Sequence, residues 1–279
     1  PGNMAQDLVN NGAGAGFYRP LDAHEAFSVP VSMHITPTLA SAIQWATVDP
    51  AAGTPWRDGP AFNNRVATLI ADGTIDLMGS TFSDHLMPYF TPAYNADNVS
   101  LATEFLNELY GPAAVSDRIF WTPERVLDHD VLSKIQTLGF DYTFIDQSQH
   151  LYRWFDIDET TGDNAHRINT VNGVSCIPIS DKQNDFRFQT HDGGAAMALR
   201  KTLSRRARSG MWDNQHPQVM TLQMDWQEFG DSSKADSYDR LIRWLASKGW
   251  VKIVTADRIA GNEVDVSMPL DGVGDSWKQ

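Results

Sequence analysis

Apolar and polar residues alternate along the chain in blocks that predict strands separated by helices. The strand-like blocks are short apolar runs, rich in β-branched and aromatic residues and bounded by turn-forming residues. They lie at 29–35, 74–79, 118–121, 140–146, 174–179, 218–225 and 251–255. Segments with helical spacing lie between them, so the pattern predicts an alternating α/β protein.

Two of the helical segments have recognisable ends. One follows the strand at 118–121 and ends at Gly139, which suits the left-handed position after a helix. The other spans 234–248, where Ser233 and Asp236 have the spacing of a capping box. Because strands alternating with helices imply parallel strands joined by right-handed crossovers, we expect a barrel or a doubly wound sheet.

The length and composition fit one large domain. The chain has 279 residues, of which 42% are apolar, enough to bury a sizeable core. Irregular stretches occur at 1–16, 156–170 and 261–279, and we recognise no domain linker. We therefore expect residues 1–279 to form a single domain.

The net charge argues against two classes of partner. A formal charge of −13 repels nucleic acids and anionic membranes, and no apolar run approaches the roughly 20 residues that span a bilayer. The first residue is Pro1, which fits a processed or truncated chain and leaves the localisation open; a removed export signal would place the protein in the periplasm or outside the cell. The single cysteine, Cys176, excludes an internal disulfide framework.

Candidate chemistry collects where the predicted strands end. In parallel α/β folds the carboxyl ends of the strands meet at one edge, where active sites form. Two carboxylates flanked by Trp suit glycosidic cleavage, since one protonates the leaving oxygen, the other attacks or stabilises the anomeric carbon, and indole rings stack on sugars. The strand-end residues are His34, Asp84, His85, Trp121, Glu124, Asp225 and Trp226.

Each of these residues also has a structural interpretation. Glu124 could pair with Arg118 or Arg125, and Asp225 could cap a following turn. The Trp residues could be core residues, and the two His residues could be structural. These alternatives stay open from the residues alone.

Four segments in order give the sequence a family resemblance. They are "FYRPLDAHEAFSVPVSMHITPTLASAI", "GTIDLMGSTFSDHLMPYF", "IFWTPERVLDHDVLSKIQTLGFDYTFID" and "MDWQEFG", and the resemblance runs through them in that order within residues 17–255. In them the chain resembles glycoside hydrolase family 57. The resemblance implies an incomplete TIM-like (β/α)7 barrel and retaining cleavage or transfer at α-glucosidic bonds. It further implies an α-glucan or oligosaccharide substrate, with no metal or organic cofactor.

The resemblance also implies roles for individual residues. Glu124 of "WTPE" matches the nucleophile, and Asp225, four residues before the Phe of "FG", matches the general acid/base. Trp121 and His85 fall where the family has substrate contacts. From their places at strand ends, Trp226 and His34 are further candidates for substrate binding.

The sequence departs from the family pattern at three places. The His-Gln-Pro motif of the first strand has no match, so we expect the chain to start downstream of that strand and to lack part of the barrel. Gln227 stands where the family has Glu, with Glu228 shifted by one position. Either Asp84 or His85 takes the place of the family's His before Pro88.

Other classes of function therefore stay in play. A catalytically degenerate glycan-binding or structural module would keep the barrel without needing the two carboxylates. A polysaccharide deacetylase-like enzyme would need a His pair spaced four or five residues apart as zinc ligands, and no such pair occurs in the chain. The sequence sets no oligomeric state.

Overall fold

The fold was analysed in a computed structural model of the chain. Most of the irregular stretches expected at 1–16, 156–170 and 261–279 lie outside the described residues. Where they are described, the expectation is wrong at the strands Asn169–Val171 and Met268–Pro269. The described ranges are 16–46, 59–155, 167–180, 197, 200, 219–249, 251–261 and 268–269.

Seven strands form one mixed, mostly parallel sheet. Its order is β1-β2-β3-β4-β6-β5-β7, and only the β5–β6 pair is antiparallel. All five residues of β4 are buried, as expected for a central strand covered on both faces. The strands are β1 (Val31–Met33), β2 (Ile75–Gly79), β3 (Val115–Phe120), β4 (Tyr142–Asp146), β5 (Asn169–Val171), β6 (Val174–Ile179) and β7 (Met268–Pro269).

Helices connect most of these strands in sequence. Short 3-10 turns at Met87–Tyr89, Pro123–Arg125 and Trp226–Gly230 and a π-helical turn at Gln147–Tyr152 follow strand ends. The α-helices are α1 (Tyr18–Phe27), α2 (Pro37–Gln44), α3 (Gly59–Ala71), α4 (Pro92–Tyr110), α5 (His129–Thr137), α6 (Ser232–Ala246) and α7 (Ala256–Gly261). None of these helices is long and apolar enough to cross a bilayer.

The predictions of strands at 218–225 and 251–255 are wrong where these segments are described, because neither forms a regular ladder. Thr221 makes a single parallel bridge to Ile179 at the end of β6. The Ala256 backbone N–H, at the start of α7, donates to the Ser32 hydroxyl of β1 at 2.7 Å. The mostly parallel sheet is not closed, which agrees with an incomplete TIM-like barrel.

One face of the sheet builds an interior core that leads to the strand ends. Tyr142 and Phe144 alternate along β4, so their side chains share one face, and Met78 and Ile119 join them from β2 and β3. Trp121, just beyond β3, packs on this cluster with its ring 5.7 Å from that of Phe144. The interior core thus supports the first residue of the candidate site.

Two predicted helix ends have different outcomes. Gly139 follows α5 with φ of 98°, which confirms the left-handed position expected there. The capping box at Ser233 and Asp236 is wrong, because α6 begins two residues earlier and its N-cap is Asp231, whose carboxylate accepts from the Ser233 and Lys234 backbone N–H groups.

Candidate active site

Glu124 lies on an unusual turn at the carboxyl end of β3. Glu124 and Arg125 both have left-handed backbone, with φ of 51° and 54°. Residues other than Gly seldom adopt this conformation, which costs on the order of 1–3 kcal/mol each. The Arg125 N–H donates to the Thr122 carbonyl at 2.9 Å and closes the turn. The turn leaves the Glu124 side chain exposed.

Arg125 ties this turn to the neighbouring strand. Its Nε donates to Asp146 Oδ1, at the end of β4, over 2.9 Å. The two side chains are only 14% and 12% exposed, so water screens this ion pair weakly. The guanidinium also lies over the Trp121 ring, 5.4 Å from its centroid. The Arg125 side chain therefore fixes both the turn and the indole.

Trp121 in turn contacts His34 from the end of β1. Their rings stack at 5.6 Å with an interplanar angle of 26°. Burial lowers the pKa of His34 to about 3, so its ring is neutral at physiological pH. Within the described part of the chain, His34 Nε2 has no hydrogen-bond partner, and it lies 4.0 Å from Asp84 Oδ1.

Asp84 brings a further carboxyl group to this edge. It follows β2 with φ of 57°, a third left-handed residue beside Glu124 and Arg125. Burial raises the pKa of Asp84, and the negative charge of Glu124 raises it further. The structure therefore brings Asp84, Glu124 and His34 together, although the sequence offered Asp84 only as an alternative to His85.

Trp226 and Asp225 lie on the segment that precedes α6. The Trp226 indole N–H donates to the His34 carbonyl at 3.0 Å, which fixes this segment beside the end of β1. The indole ring itself packs into the core, 5.1 Å from Phe17 and 6.1 Å from Phe62. Asp225 is exposed and accepts from Gln223 Nε2 at 2.6 Å. Sugar stacking by Trp226 and acid/base chemistry by Asp225 stay predictions.

His85 directly follows Asp84, and its ring contacts aromatic residues. Its Nε2 lies 2.7 Å from Asn95 Oδ1, and its ring is edge-on to Phe90 and Tyr94 at 4.7 and 5.1 Å. The described contacts of His85 are therefore with the start of α4. Its expected contact with substrate stays a prediction.

The two arginines that could pair with Glu124 pair with other carboxylates. Arg118 lies 3.8 Å from Asp141, and Arg125 pairs with Asp146. Among the described residues, Glu124 has no ion-pair partner within 4 Å. Asp146 was not predicted as part of the site, although its place as the last residue of an apolar strand was a usable signal.

The described residues offer no evident metal site. No group of three or more His, Cys, Asp or Glu side chains in the described ranges could hold a metal ion. What the arrangement provides is an exposed carboxylate on a rigid turn, a second carboxyl group beside it, a neutral imidazole and two indoles.

Solved structures of similar fold include α-glucan enzymes and also polysaccharide deacetylases. The 4-alpha-glucanotransferase from Thermococcus litoralis has a TM-score of 0.70 at 13% identity, covering 99% of this chain and 38% of that one. The alpha-amylase from Thermotoga maritima scores 0.69 at 12%, covering 99% and 72%. The branching enzyme from Pyrococcus horikoshii scores 0.69 at 11%, covering 99% and 68%. At these identities the likeness establishes the fold.

The sequence comparison identifies the family. No curated protein sequence matches the chain. Residues 60–266, most of the chain and including both predicted catalytic carboxylates, match the sequence model of Glycosyl hydrolase family 57. The chain therefore belongs to glycosyl hydrolase family 57.

Proposed function

We propose that this chain cleaves or transfers α-1,4-glucosidic bonds of α-glucans with retention of anomeric configuration. The coarse part of this proposal, action on glycosidic bonds, follows from the family. The observation that carries the rest is the Glu124 turn. An exposed carboxylate that has no ion-pair partner among the described residues is held there by a strained backbone, at the edge where active sites form.

The proposed mechanism is a double displacement. Glu124 attacks the anomeric carbon from the β face while protonated Asp225 donates its proton to the leaving oxygen, which gives a β-linked glycosyl-enzyme. Asp225 then removes a proton from water or an acceptor sugar as that oxygen attacks from the α face. Retaining chemistry requires the two carboxyl groups to lie about 5–5.5 Å apart across the substrate.

Several neighbours of Glu124 have supporting roles in this proposal. Asp84 and the neutral imidazole of His34 are placed to exchange hydrogen bonds with sugar hydroxyls. The Arg125–Asp146 pair keeps the turn in position. Trp121 offers an apolar surface beside the nucleophile.

Azide rescue assigns both carboxylates in one experiment. With α-glucosyl fluoride and azide, Glu124→Ala should give β-glucosyl azide, since azide replaces the missing nucleophile and fluoride leaves in one inversion. Asp225→Ala should still form the glycosyl-enzyme, because fluoride needs little acid assistance, and azide should then give α-glucosyl azide. NMR of the products distinguishes the two anomers.

Two matched variants control for the loss of a carboxylate as such. Asp117→Ala removes an exposed carboxylate from β3, and Glu228→Ala removes the one paired with Lys234 just after Asp225. Both should keep hydrolysis and give no azide product. If the two test variants stay folded and neither is rescued, or both give the same anomer, the proposed roles are wrong. If the unmodified chain also releases no reducing sugar from starch and does not redistribute the chain lengths of maltoheptaose, the barrel is a non-enzymatic module.

A further inference from the structure

Exposed aromatic side chains are concentrated in one short segment after β2. Three of the six exposed large apolar residues that the structure describes, Tyr89, Phe90 and Tyr94, fall between positions 89 and 94. They are 69%, 40% and 44% exposed. Solvent exposure of large apolar surface is unfavourable, so several such residues side by side indicate a surface that binds something.

Two of these rings stack on each other and remain partly exposed. Phe90 and Tyr94 lie nearly parallel, at 20° with centroids 4.8 Å apart. His85 supports both rings from the side and is itself held by Asn95, whose Nδ2 donates to the Met87 carbonyl at 3.0 Å. We call Phe90 and Tyr94 the aromatic platform. Its geometry is fixed before any ligand arrives, which lowers the entropic cost of binding.

The platform is continuous with the candidate active site. His85, which supports the platform, directly follows Asp84, and Asp84 lies 4.0 Å from His34 and within the field of Glu124. The platform is thus linked to the candidate active site through the adjacent residues Asp84 and His85.

The chemistry of the platform suits a sugar ring. The C–H face of a glucose unit is flat and apolar and stacks on aromatic rings, while its hydroxyl rim needs polar neighbours such as the Tyr94 hydroxyl. The indoles predicted for stacking are already contacted by protein, Trp121 by His34 and Arg125 and Trp226 by Phe17 and Phe62. Phe90 and Tyr94 also have ring contacts, but they are 40% and 44% exposed, so the platform adds stacking surface to that of Trp121.

We propose that Phe90 and Tyr94 form a remote subsite that stacks a glucose unit of an α-glucan chain at a distance from the bond that is cleaved. This inference rests on the proposed function, since it takes an α-glucan as the substrate. It adds that the protein prefers long chains over short ones, because only a long chain fills both the cleavage site and the platform.

The test compares a ligand that reaches the platform with one that does not. Phe90→Leu and Tyr94→Leu keep apolar volume but remove the flat ring, whereas Phe90→Tyr keeps it. In the Glu124→Gln background, which does not turn over, the Leu variants should weaken maltoheptaose binding about tenfold by calorimetry, the size expected for a lost aromatic stack. Phe90→Tyr should bind within about twofold of the parent. Trp45→Leu, an exposed aromatic at the end of α2 on the opposite edge of the barrel, is the matched control.

A kinetic readout completes the test with an intact nucleophile. The ratio of kcat/KM for maltoheptaose to kcat/KM for α-glucosyl fluoride should fall about tenfold in both Leu variants and stay constant in the control. Unchanged thermal unfolding shows that the variants are folded. Light scattering gives their oligomeric mass.

Each outcome decides between this inference and the proposed function. If the protein cleaves maltoheptaose and the Leu variants keep both its affinity and the kinetic ratio, the platform is no subsite and the proposed function stands. If binding depends on Phe90 but no cleavage or azide product is found, the inference stands without the proposed function. If maltoheptaose does not bind at all, both are wrong. If the Leu variants change the oligomeric mass instead of affinity, the platform is a contact between copies and the inference is overturned.

Discussion

The Arg125–Asp146 pair should stabilise the protein far more than a surface ion pair does. At 2.9 Å, opposite unit charges attract by about 6 kcal/mol at an effective dielectric constant of about 20, and desolvation offsets much of this gain. Removing one partner leaves the other charge buried. Arg125→Met should therefore lower the free energy of unfolding by about 3–5 kcal/mol.

A double-mutant cycle separates the pair from its surroundings. Asp146→Asn alone should also destabilise, because it leaves the guanidinium buried without this carboxylate. The double variant should recover part of the loss, with a coupling energy of about 1.5–3 kcal/mol between the two sites. Urea unfolding followed by circular dichroism measures all four proteins, and comparable m-values justify a two-state treatment.

The chain supplies its own control for this cycle. Arg118 of β3 and Asp141, the residue before β4, are paired at 3.8 Å, but their side chains are 38% and 60% exposed. The equivalent cycle there should give a coupling below about 1 kcal/mol. If the buried pair also gives less than about 1 kcal/mol, or its two substitutions are additive, then the Arg125–Asp146 pair does not anchor the Glu124 turn.

Three further predictions concern the supports of the fold. Burial lowers the pKa of His24 to about 4, below its unfolded value of about 6.5, so the unfolded chain binds more protons than the folded one. The stability that neutral His24 contributes above pH 6.5 should fall by up to about 3 kcal/mol as pH drops toward 4. Because the lowered pKa of His34 acts in the same direction, His24→Gln should remove only part of the pH dependence in urea titrations. Gly79→Ala places a Cβ 2.5 Å from Phe140 and should cost about 1–3 kcal/mol, seen as a lower urea midpoint; an unchanged midpoint would show that the ring moves freely. Phe62→Ala empties a fully buried position beside Phe17 and Trp226 and should cost about 3–5 kcal/mol, with an altered near-ultraviolet dichroism of Trp226; a loss below about 1 kcal/mol would contradict tight packing there.

The barrel strands were predictable because their apolar runs are buried on both faces. The runs at 74–79, 140–146 and 174–179 match observed strands closely, since parallel strands covered by helices need continuous apolar sequence. The run at 251–255 has the same composition but forms no ladder, and its neighbour β1 spans only three residues. Strand β5, Asn169–Val171, was missed because three residues carry too little periodicity.

The site was predictable in position but not in geometry. Strand ends located Glu124, Trp121 and His34 at one edge, because the rule depends only on chain order and strand direction. The left-handed backbone at Glu124 could not be predicted, since Glu and Arg ordinarily avoid it. The Trp226 hydrogen bond to His34 joins residues 192 positions apart, and such contacts depend on the whole fold.

The backbone at positions 124 and 125 implies a conflict between stability and chemistry. Gly or Asn would relieve the strain there by on the order of 1–2 kcal/mol at each position, and either residue would remove the carboxylate or the guanidinium. In a laboratory evolution experiment that selects this chain for heat resistance alone, Glu124 should thus be the first residue to be substituted. Engineering for thermal stability should therefore keep Glu124 and Arg125 unchanged and place stabilising substitutions elsewhere in the barrel.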